Sequence, residues 1–263
     1  MLQRTCCDRN RGMSDKSQAC NACQETEPLG FRFSMAFQPI VDVLTGEVLA
    51  EEALARGPRG ESAASVLAQV TESNRYRFDQ AARVTAIEWA SRLGMKSRLS
   101  INFMPNAVYN PEACIQRTLQ AARAAAWVTE RIIFEVSESE PIEDRPHLLE
   151  IFRRYREFGF KTAIDDFGAG HSGLGLLVDF QPDYLKLDMA LIRDIDRRKA
   201  SRAIVRHAVG LCDEIGIQLV AEGVETLSEG KALVDLGVRY QQGYYFARPA
   251  FESLSNPILR LPN

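Results

Sequence analysis

The sequence predicts an α/β fold in which parallel strands alternate with helices. From Phe33 almost to the end of the chain, short apolar segments alternate with longer segments of helical periodicity. Polar side chains stand at the ends of most of the short segments. Alternation of this kind is typical of βαβ units with parallel strand pairing. The 263 residues suit a single α/β barrel, although an open doubly wound sheet fits the same periodicity.

The first two strands are predicted to form a hairpin. Residues 35–43 are apolar, and residues 47–56 follow them after a turn that ends in glycine. The loop at 57–60 contains glycine and proline, which end the strand pattern. The next segment is predicted to be a helix that stops at Gly94, because four of its apolar side chains share one face. These side chains are Phe78, Ala82, Trp89 and Leu93.

The remaining elements repeat the order of strand and helix. Strands are predicted at residues 98–103, 131–136, 161–165, 184–187, 217–221 and 239–242. Helices are predicted at residues 111–126, 146–158, 200–215 and 227–236. The helix at 200–215 is predicted to turn one apolar face to the core. That face carries Ile204, Ala208, Leu211 and Ile215.

The composition is that of an ordinary globular protein and argues against several classes of function. Hydrophobic residues make up 46% of the chain and charged residues 25%, with a formal net charge of −3. We therefore expect no DNA or RNA binding. We also expect no insertion into a membrane, because the sequence lacks a long apolar run. No apolar stretch follows the basic residues of the N-terminus, so we expect a cytoplasmic protein without a secretory signal.

Residues 1–32 are predicted to be a polar tail, and residues 33–263 the folded domain. The tail contains four of the six cysteines, namely Cys6, Cys7, Cys20 and Cys23. They could hold zinc, but one C-x₂-C pair beside two adjacent cysteines is a weak signal, and we favour a mobile, reducible tail. A true start at Met13 would remove two of these thiols. The other two cysteines, Cys114 and Cys212, are predicted to be buried in the core.

Polar side chains collect at the carboxyl ends of the predicted strands, where the chemistry of a parallel barrel lies. They are Glu52, Asn102, Glu135, Glu138, Asp165, Asp166, Lys186, Asp188, Glu222 and Glu225. Acids are common on protein surfaces, but these ones come at the ends of apolar runs. Crowded carboxylates cost free energy unless a cation lies among them. Oxygen ligands suit Mg²⁺, Mn²⁺ or Ca²⁺, and the adjacent Asp165 and Asp166 suggest two ions with one bridging carboxylate.

Lys186 has two possible interpretations. A lysine at the end of a barrel strand can form a Schiff base with a carbonyl substrate, as in aldolases. That chemistry needs a depressed pKa, whereas the neighbouring acids are expected to raise the pKa of Lys186. We therefore expect a charged lysine that acts beside a phosphate or a metal-bound water.

A glycine-containing loop follows the two adjacent aspartates. Its glycines allow close approach to a ligand or metal. His171 lies in this loop and is interpreted as a partly exposed loop residue, although it could be a metal ligand. His147 and His207 lie on predicted helices, and we expect both to be structural.

Several motifs, in a fixed order, resemble those of the EAL domain family. The segment EALAR at 52–56 resembles the family signature E-A-L-x-R, and FQPIV at 37–41 precedes it. Further matches are Asn102, EVSE at 135–138, DDFG at 165–168, KLD at 186–188, AEGVET at 221–226 and QGY at 242–244. The resemblance covers roughly residues 33–252 and implies a TIM-like (β/α)₈ barrel with one antiparallel strand.

The resemblance implies a metal-dependent phosphodiesterase of bacterial second-messenger signalling. Such an enzyme opens cyclic di-GMP to linear pGpG with a water activated by two Mg²⁺ or Mn²⁺ ions, and Ca²⁺ is a possible inhibitor. The implied metal ligands are Glu52, Asn102, Glu135, Asp165, Asp166 and Glu222. The implied catalytic residues are Lys186, Glu52, Asp165, Asp166 and Glu222.

Other roles follow from the same resemblance. The implied substrate-binding residues are Gln38, Leu54, Arg56, Asp188, Gln242 and Pro249. Glu138 would anchor the loop after the two aspartates, and Glu225 would support the site from outside the ligand set. The family commonly forms dimers through elements near that loop, so we expect a homodimer.

The sequence departs from the family pattern at a few positions. His171 and Gly173 stand where tyrosine and serine are common, and the residues after Asn102 are also unusual. No departure removes an implied ligand. We therefore place catalysis ahead of a non-catalytic cyclic di-GMP receptor of the same fold, and both ahead of an aldolase-like enzyme.

Overall fold

The computed structural model describes residues 29–140, 144–170 and 173–262. The cysteines of the N-terminal segment and His171 lie outside these residues. The strands are β1 (Ser34–Asp42), β2 (Glu47–Arg56), β3 (Arg98–Asn102), β4 (Ile132–Ser137), β5 (Lys161–Phe167), β6 (Tyr184–Leu187), β7 (Gln218–Ala221), β8 (Tyr240–Gln241) and β9 (Ala250–Phe251).

At least one helix lies between each pair of consecutive strands from β2 to β8. The helices are α1 (Ala63–Leu67), α2 (Arg75–Arg92), α3 (Pro111–Cys114), α4 (Gln116–Ala124), α5 (Arg145–Glu157), α6 (Gly173–Asp179), α7 (Met189–Ile192), α8 (Lys199–Ile215) and α9 (Leu227–Asp235). Single 3₁₀ turns occur at Pro105–Ala107 and Thr129–Arg131. None of the described helices is long and apolar enough to cross a membrane.

Eight strands close into a barrel. Strands β2 to β8 pair with their neighbours in parallel, in chain order. Strand β1 closes the ring, because it pairs antiparallel with β2 on one side and with β8 on the other. The short β9 adds a further antiparallel pairing to β1 at Ala36 and Phe37. The predicted α/β class and the barrel with one antiparallel strand are therefore confirmed, and the open sheet is excluded.

Asp42 fixes the point where the barrel closes. Its Oδ2 accepts a hydrogen bond of 2.8 Å from Nε of Arg239, the residue that precedes β8. Its Oδ1 accepts from the amide of Leu44 in the hairpin turn, at 3.1 Å. The bond from Arg239 lowers the pKa of Asp42 to about 2. One carboxylate thus ties the hairpin turn to the last strand of the ring.

The interior of the barrel is filled by a small apolar layer. It consists of Ile40, Ala50, Ile133, Ala163, Tyr184 and Val220, with Leu49 and Tyr240 packed against it. Alternate residues of a strand point to the same side, so residues two positions further along each strand also face the interior. On the parallel strands these positions carry Glu52, Glu135, Asp165, Lys186, Glu222 and Gln242. The alternation of each strand therefore places the polar residues at one mouth of the barrel.

The main core lies between the barrel wall and the surrounding helices. Cys114 and Cys212 are buried there, as predicted. Leu29 and Phe31, which fall in the predicted tail, also pack against this core. The rings of Phe31 and Phe78 lie 6.1 Å apart. The folded structure therefore extends to residues before the predicted boundary at 32/33.

Two details of the helices differ from the sequence prediction. The predicted helix at 111–126 is interrupted at Ile115, which keeps helical dihedral angles between α3 and α4. In α8, Ile204 is 50% exposed, so its predicted place on the core face is wrong. The buried positions of α8 are Ser201, Val205 and Cys212. Ala208, Leu211 and Ile215 are partly buried and pack against the core as predicted, so the apolar periodicity failed only at Ile204.

A buried ion pair lies on the inner face of helix α2. Arg83 is fully buried, and its Nη2 lies 2.7 Å from Oδ2 of Asp79, one helical turn away. Its Nη1 donates to the hydroxyl of Tyr155 at 2.7 Å. The guanidinium also lies over the ring of Phe134, at 5.0 Å from its centroid. Asp79 in turn accepts a 2.9 Å hydrogen bond from the amide of Met104, two residues beyond β3. This network therefore fixes the chain where it leaves β3.

Candidate active site

A solvent-accessible pocket opens at the carboxyl ends of the parallel strands. Its volume is about 310 Å³. Eight of the predicted site residues line it, namely Gln38, Glu52, Asp165, Asp166, Asp188, Glu222, Glu225 and Gln242. Met189, Gly223, Gly243 and Tyr244 also line it; the last three belong to the family motifs, but none of the four was predicted to be a site residue. We call this cavity the acidic pocket.

Lys186 lies at the base of the acidic pocket among four carboxylates. Its Nζ is 2.6 Å from Oε1 of Glu222 and 2.9 Å from Oε2 of Glu135. It is also 3.1 Å from Oδ1 of Asp165 and 3.3 Å from Oε2 of Glu52. The side chain of Lys186 is almost completely buried. One ammonium group is thus shared by four acids, three of them on β2, β4 and β5 and the fourth directly after β7.

Burial and charge shift the pKa values of this cluster. Burial lowers the pKa of Lys186, but the four carboxylates, Asp165 first among them, outweigh it and raise the pKa well above its usual value. Burial raises the pKa of Glu135 to about 8, against the opposing effect of Lys186. Burial also raises the pKa of Glu222 well above its usual value. The lysine therefore stays charged, and its single positive charge does not offset the carboxylates around it.

The donor set of the acidic pocket fits divalent cations. Oxygens of Glu52, Glu135 and Asp165 lie within 4.8 Å of one another, and so do oxygens of Asp165, Asp166 and Glu222. The two groups share Asp165. Carboxylate oxygens alone form a hard ligand set, which suits Mg²⁺, Mn²⁺ or Ca²⁺. A divalent cation would also supply the positive charge that the buried acids lack.

Neighbouring side chains orient the acids. Nδ2 of Asn102 donates to Oε1 of Glu52 at 3.0 Å, and Nε2 of Gln242 donates to Oε2 of Glu52 at 2.8 Å. Ser100 donates to Glu135, and Ser137 donates to Asp166 at 2.8 Å. The two serines were not predicted. Each stands two residues from a predicted ligand on the same strand, so strand alternation could have indicated them.

An irregularity in β5 lets two adjacent acids line the same pocket. Successive residues of a regular strand point to opposite sides. The register between β5 and β6 shifts between Ile164 and Phe167. Asp166 has a positive φ of 56°, and its amide donates to Oδ1 of Asp165 at 2.9 Å. The backbone of Asp166 thus leaves the strand conformation at the point where both carboxylates are needed.

Glu138 holds the loop that follows the two aspartates. Its Oε2 accepts from the amides of Gly168 at 2.7 Å and Gly170 at 3.3 Å. Gly168 has a φ of 100°, a conformation that glycine adopts without strain. A side-chain methyl group at Gly170 would lie 3.1 Å from the Glu138 carboxyl carbon. The contacts of Glu138 are those expected of a residue that anchors this loop.

Three of the predicted substrate residues do not line the acidic pocket. Nη1 of Arg56 donates to the carbonyl of the neighbouring Ala55 at 2.8 Å. Leu54 lines a separate apolar cavity that also reaches Asn102. Pro249 is half-buried just before β9.

Three other predicted residues that line the acidic pocket have partners in the fold. Gln38 donates to the carbonyl of Ala247 at 3.1 Å. Asp188 caps α7 by accepting from the amide of Ala190 at 2.8 Å. Glu225 forms a two-point ion pair with Arg193, and the second contact is 2.8 Å long. These residues border the pocket but lie outside the cluster around Lys186.

Known proteins resemble this chain over most of its length. BluF of Escherichia coli K12, a blue light- and temperature-regulated antirepressor, is 33% identical over 214 residues, which are 81% of this chain and 53% of BluF. PdeN of the same strain, a probable cyclic di-GMP phosphodiesterase, is 30% identical over 230 residues, which are 83% of this chain and 43% of PdeN. The chain thus spans about half the length of these relatives or less.

Solved structures share the fold. A standalone EAL protein from Vibrio cholerae O395, bound to c-di-GMP, superposes with a TM-score of 0.85 and 50% identity, covering 88% of this chain and 97% of that one. Klebsiella pneumoniae BlrP1, in a complex with manganese and cy-diGMP, superposes with a TM-score of 0.80 and 38% identity, covering 85% of this chain and 57% of that one. Residues 24–249 match the EAL domain family, and with the barrel and its strand-end acids this match shows that the chain belongs to that family.

Proposed function

We propose that this protein hydrolyses cyclic di-GMP at one phosphodiester and releases linear pGpG. The observation that carries the proposal is the pair of carboxylate groups that share Asp165 beside a charged, buried Lys186. The names of the relatives support it, since PdeN is a probable cyclic di-GMP phosphodiesterase and the V. cholerae protein binds c-di-GMP.

Two Mg²⁺ or Mn²⁺ ions are part of the proposal. Glu52, Glu135 and Asp165 would hold one ion with help from Asn102, and Asp166 and Glu222 would share Asp165 around the other. When bound, these ions would polarise the phosphate and lower the pKa of a water molecule. BlrP1 has been seen with manganese and with calcium beside cy-diGMP, which supports this class of ion. We propose calcium as an inhibitor.

The protein's own groups provide orientation and charge. The carboxylates around Lys186 raise its pKa, which argues against a role as a base or as a Schiff-base nucleophile near neutral pH. It would instead donate hydrogen bonds to the attacking water or to the phosphate oxygens, where negative charge grows. Asn102 and Gln242 fix the carboxylate of Glu52 from two sides. Arg56 would contact a substrate phosphate after releasing the Ala55 carbonyl, with Gln38, Leu54, Asp188 and Pro249 completing the binding surface.

The first test is an incubation of the purified full chain with cyclic di-GMP and Mg²⁺ or Mn²⁺. Chromatography should show pGpG accumulating with either metal and none with EDTA or Ca²⁺. The rival function is a receptor that binds cyclic di-GMP without cleaving it, and the similarity to the antirepressor BluF favours testing it. If cyclic di-GMP bound measurably but stayed intact, the protein would be a receptor and not a phosphodiesterase.

We also propose that the protein forms a homodimer through α6 and α7. Leu174 and Val178 lie four residues apart on α6 and are 65% and 79% exposed. Met189 on α7 is 45% exposed. Residues four apart share a helix face, so the pair forms an apolar surface close to the loop held by Glu138. A cytoplasmic location and the lack of nucleic-acid binding stay predictions.

Val178→Asp should convert the dimer into monomers, because it places a charge in the apolar contact. Sedimentation velocity over a range of concentrations would measure this. Ile204→Asp is the matched control, since Ile204 is also an exposed aliphatic side chain, 50% exposed, on a different helix. If the Val178→Asp protein dimerised as tightly as the Ile204→Asp protein, α6 would not be part of the interface.

A further inference from the structure

A second polar cavity lies at the opposite end of the barrel. Its volume is about 420 Å³. Four cations line it, namely Lys96, Arg98, Arg131 and Arg239. Two carboxylates, Asp42 and Glu47, also line it. We call it the basic cavity. Four positive groups against two negative ones give it the opposite charge to the acidic pocket.

The strand pattern separates the two cavities. Along β3, Arg98, Ser100 and Asn102 follow one another at intervals of two, and so share one side of the strand. Arg131 directly precedes β4 and stands four residues before Glu135, which is about 13 Å at the usual rise per residue of an extended chain. The apolar layer that contains Ile133 lies between them. A ligand of the basic cavity would therefore not contact the cluster around Lys186.

Two of the four cations are already engaged. Arg239 pairs with Asp42, and the bond from its Nε is 2.8 Å long. Arg131 donates from Nη2 to the carbonyls of Met95 at 2.9 Å and Ser97 at 2.7 Å. It also stacks on Trp127, with the guanidinium carbon 4.1 Å from the ring centroid. These contacts build the wall of the cavity and fix its shape.

Arg98 differs from Arg131 and Arg239, because its Nε is buried and has no hydrogen-bond partner within the described residues. Across the same residues, neither Arg98 nor Lys96 forms an ion pair within 4.0 Å. A buried donor without a partner costs free energy, and the cost is larger for a charged group. The cavity thus holds a guanidinium without a carboxylate partner among the described residues, and a guanidinium can bind a phosphate with two parallel hydrogen bonds.

We infer that the basic cavity binds a phosphomonoester of about the size of a mononucleotide. A phosphomonoester carries a charge of about −1.5 to −2 at pH 7, which matches the excess of cations over carboxylates. The cavity volume falls within the range of small-molecule sites, which is about 300–1,000 Å³. Tyr240 lines the same cavity, so its ring would contact the base of a bound nucleotide. This inference is independent of the activity proposed for the acidic pocket.

Equilibrium dialysis of the full chain with GMP would test the inference. EDTA is present throughout, so that no metal holds a phosphate in the acidic pocket. GMP should bind, guanosine should not, and inorganic phosphate should bind more weakly because it lacks the base. Binding should persist when cyclic di-GMP is present at saturation, since the two cavities are at opposite ends of the barrel. Displacement of GMP by cyclic di-GMP would overturn the inference, and so would equal binding of guanosine.

Substitutions of Arg98 and Lys96 test whether these two side chains bind GMP. Arg98→Gln should weaken GMP binding by about 10- to 100-fold, the usual value of a hydrogen bond to a charged group, and Lys96→Gln should weaken it less. Arg117→Gln is the control, because Arg117 is an exposed arginine of α4 outside the cavity. Circular dichroism and thermal melting identify any unfolded variant, and Lys96→Gln serves if Arg98→Gln does not fold. Unchanged affinity in both cavity variants would place the anion elsewhere, and no binding of GMP or phosphate would refute the site.

Discussion

Glu52→Ala is expected to abolish metal-dependent turnover and to leave the fold intact. Glu52 touches three groups of the site, because it accepts from Asn102 and Gln242 and lies 3.3 Å from Nζ of Lys186. It also belongs to one of the two carboxylate groups. Losing a residue that only supports a metal ligand costs about 10- to 100-fold in activity, so losing a ligand should cost more than about 100-fold.

The fold should survive because the substitution removes one of several crowded negative charges. Lys186 keeps three carboxylates within 3.1 Å, so its ammonium remains paired. The measurements are initial rates with Mn²⁺, Mn²⁺ affinity by calorimetry, and the thermal midpoint of unfolding. A normal midpoint with weak Mn²⁺ binding and no turnover is the expected combination.

Glu51→Gln is the matched control for this experiment. Glu51 is the preceding residue of β2, it is also buried, and it does not line the acidic pocket. Burial raises its pKa to about 8, so the carboxyl is largely neutral at pH 7 and the amide changes its charge little. This variant should keep turnover close to that of the parent. If instead Glu52→Ala turned over as fast as Glu51→Gln, the assignment of Glu52 to the metal would be wrong.

The candidate site was largely predictable because most of its residues follow regular strand alternation. Glu135, Asp165 and Glu222 each stand two residues beyond a side chain of the inner apolar layer. A sequence shows this spacing directly, once the apolar runs are identified as strands. What it does not show is the irregularity of β5, since regular alternation would turn Asp165 and Asp166 to opposite sides.

Contacts that depend on distant parts of the chain were less predictable. The family resemblance implies substrate contacts for Arg56 and Pro249, yet neither lines the acidic pocket in this conformation. On α8, Ile204 was predicted to face the core but is exposed, because the neighbouring elements decide which part of a helix is covered. The basic cavity was also missed, since its cations stand at or just before the starts of strands and look like ordinary surface residues until the barrel brings them together.

The buried pair of Asp79 and Arg83 is a further feature that sequence patterns concealed. Two charged residues four apart on a helix usually indicate an exposed ion pair. Here both side chains are almost completely buried. Arg83→Met should therefore destabilise the protein strongly. Breaking a buried pair by removing one partner typically costs about 3–5 kcal/mol, because it leaves an uncompensated buried charge.

Urea denaturation of the Arg83→Met protein would measure this loss. Arg92→Met is the matched control, because Arg92 lies at the exposed end of the same helix and stacks on Trp89. Its free energy of unfolding should change by no more than about 0.5 kcal/mol, as is usual for surface substitutions. Equal losses in the two variants would show that the buried pair contributes no more than a surface arginine.

A double variant separates the cost of the unpaired charge from the loss of packing. In Asp79→Leu with Arg83→Met, no charge remains buried, so part of the lost stability should return. The double variant also removes the acceptor for the amide of Met104, which lies two residues beyond Asn102. Its stability should therefore recover further than its turnover, since the chain that carries Asn102 out of β3 is no longer held. Full recovery of both would mean that the network stabilises the barrel without positioning the metal site.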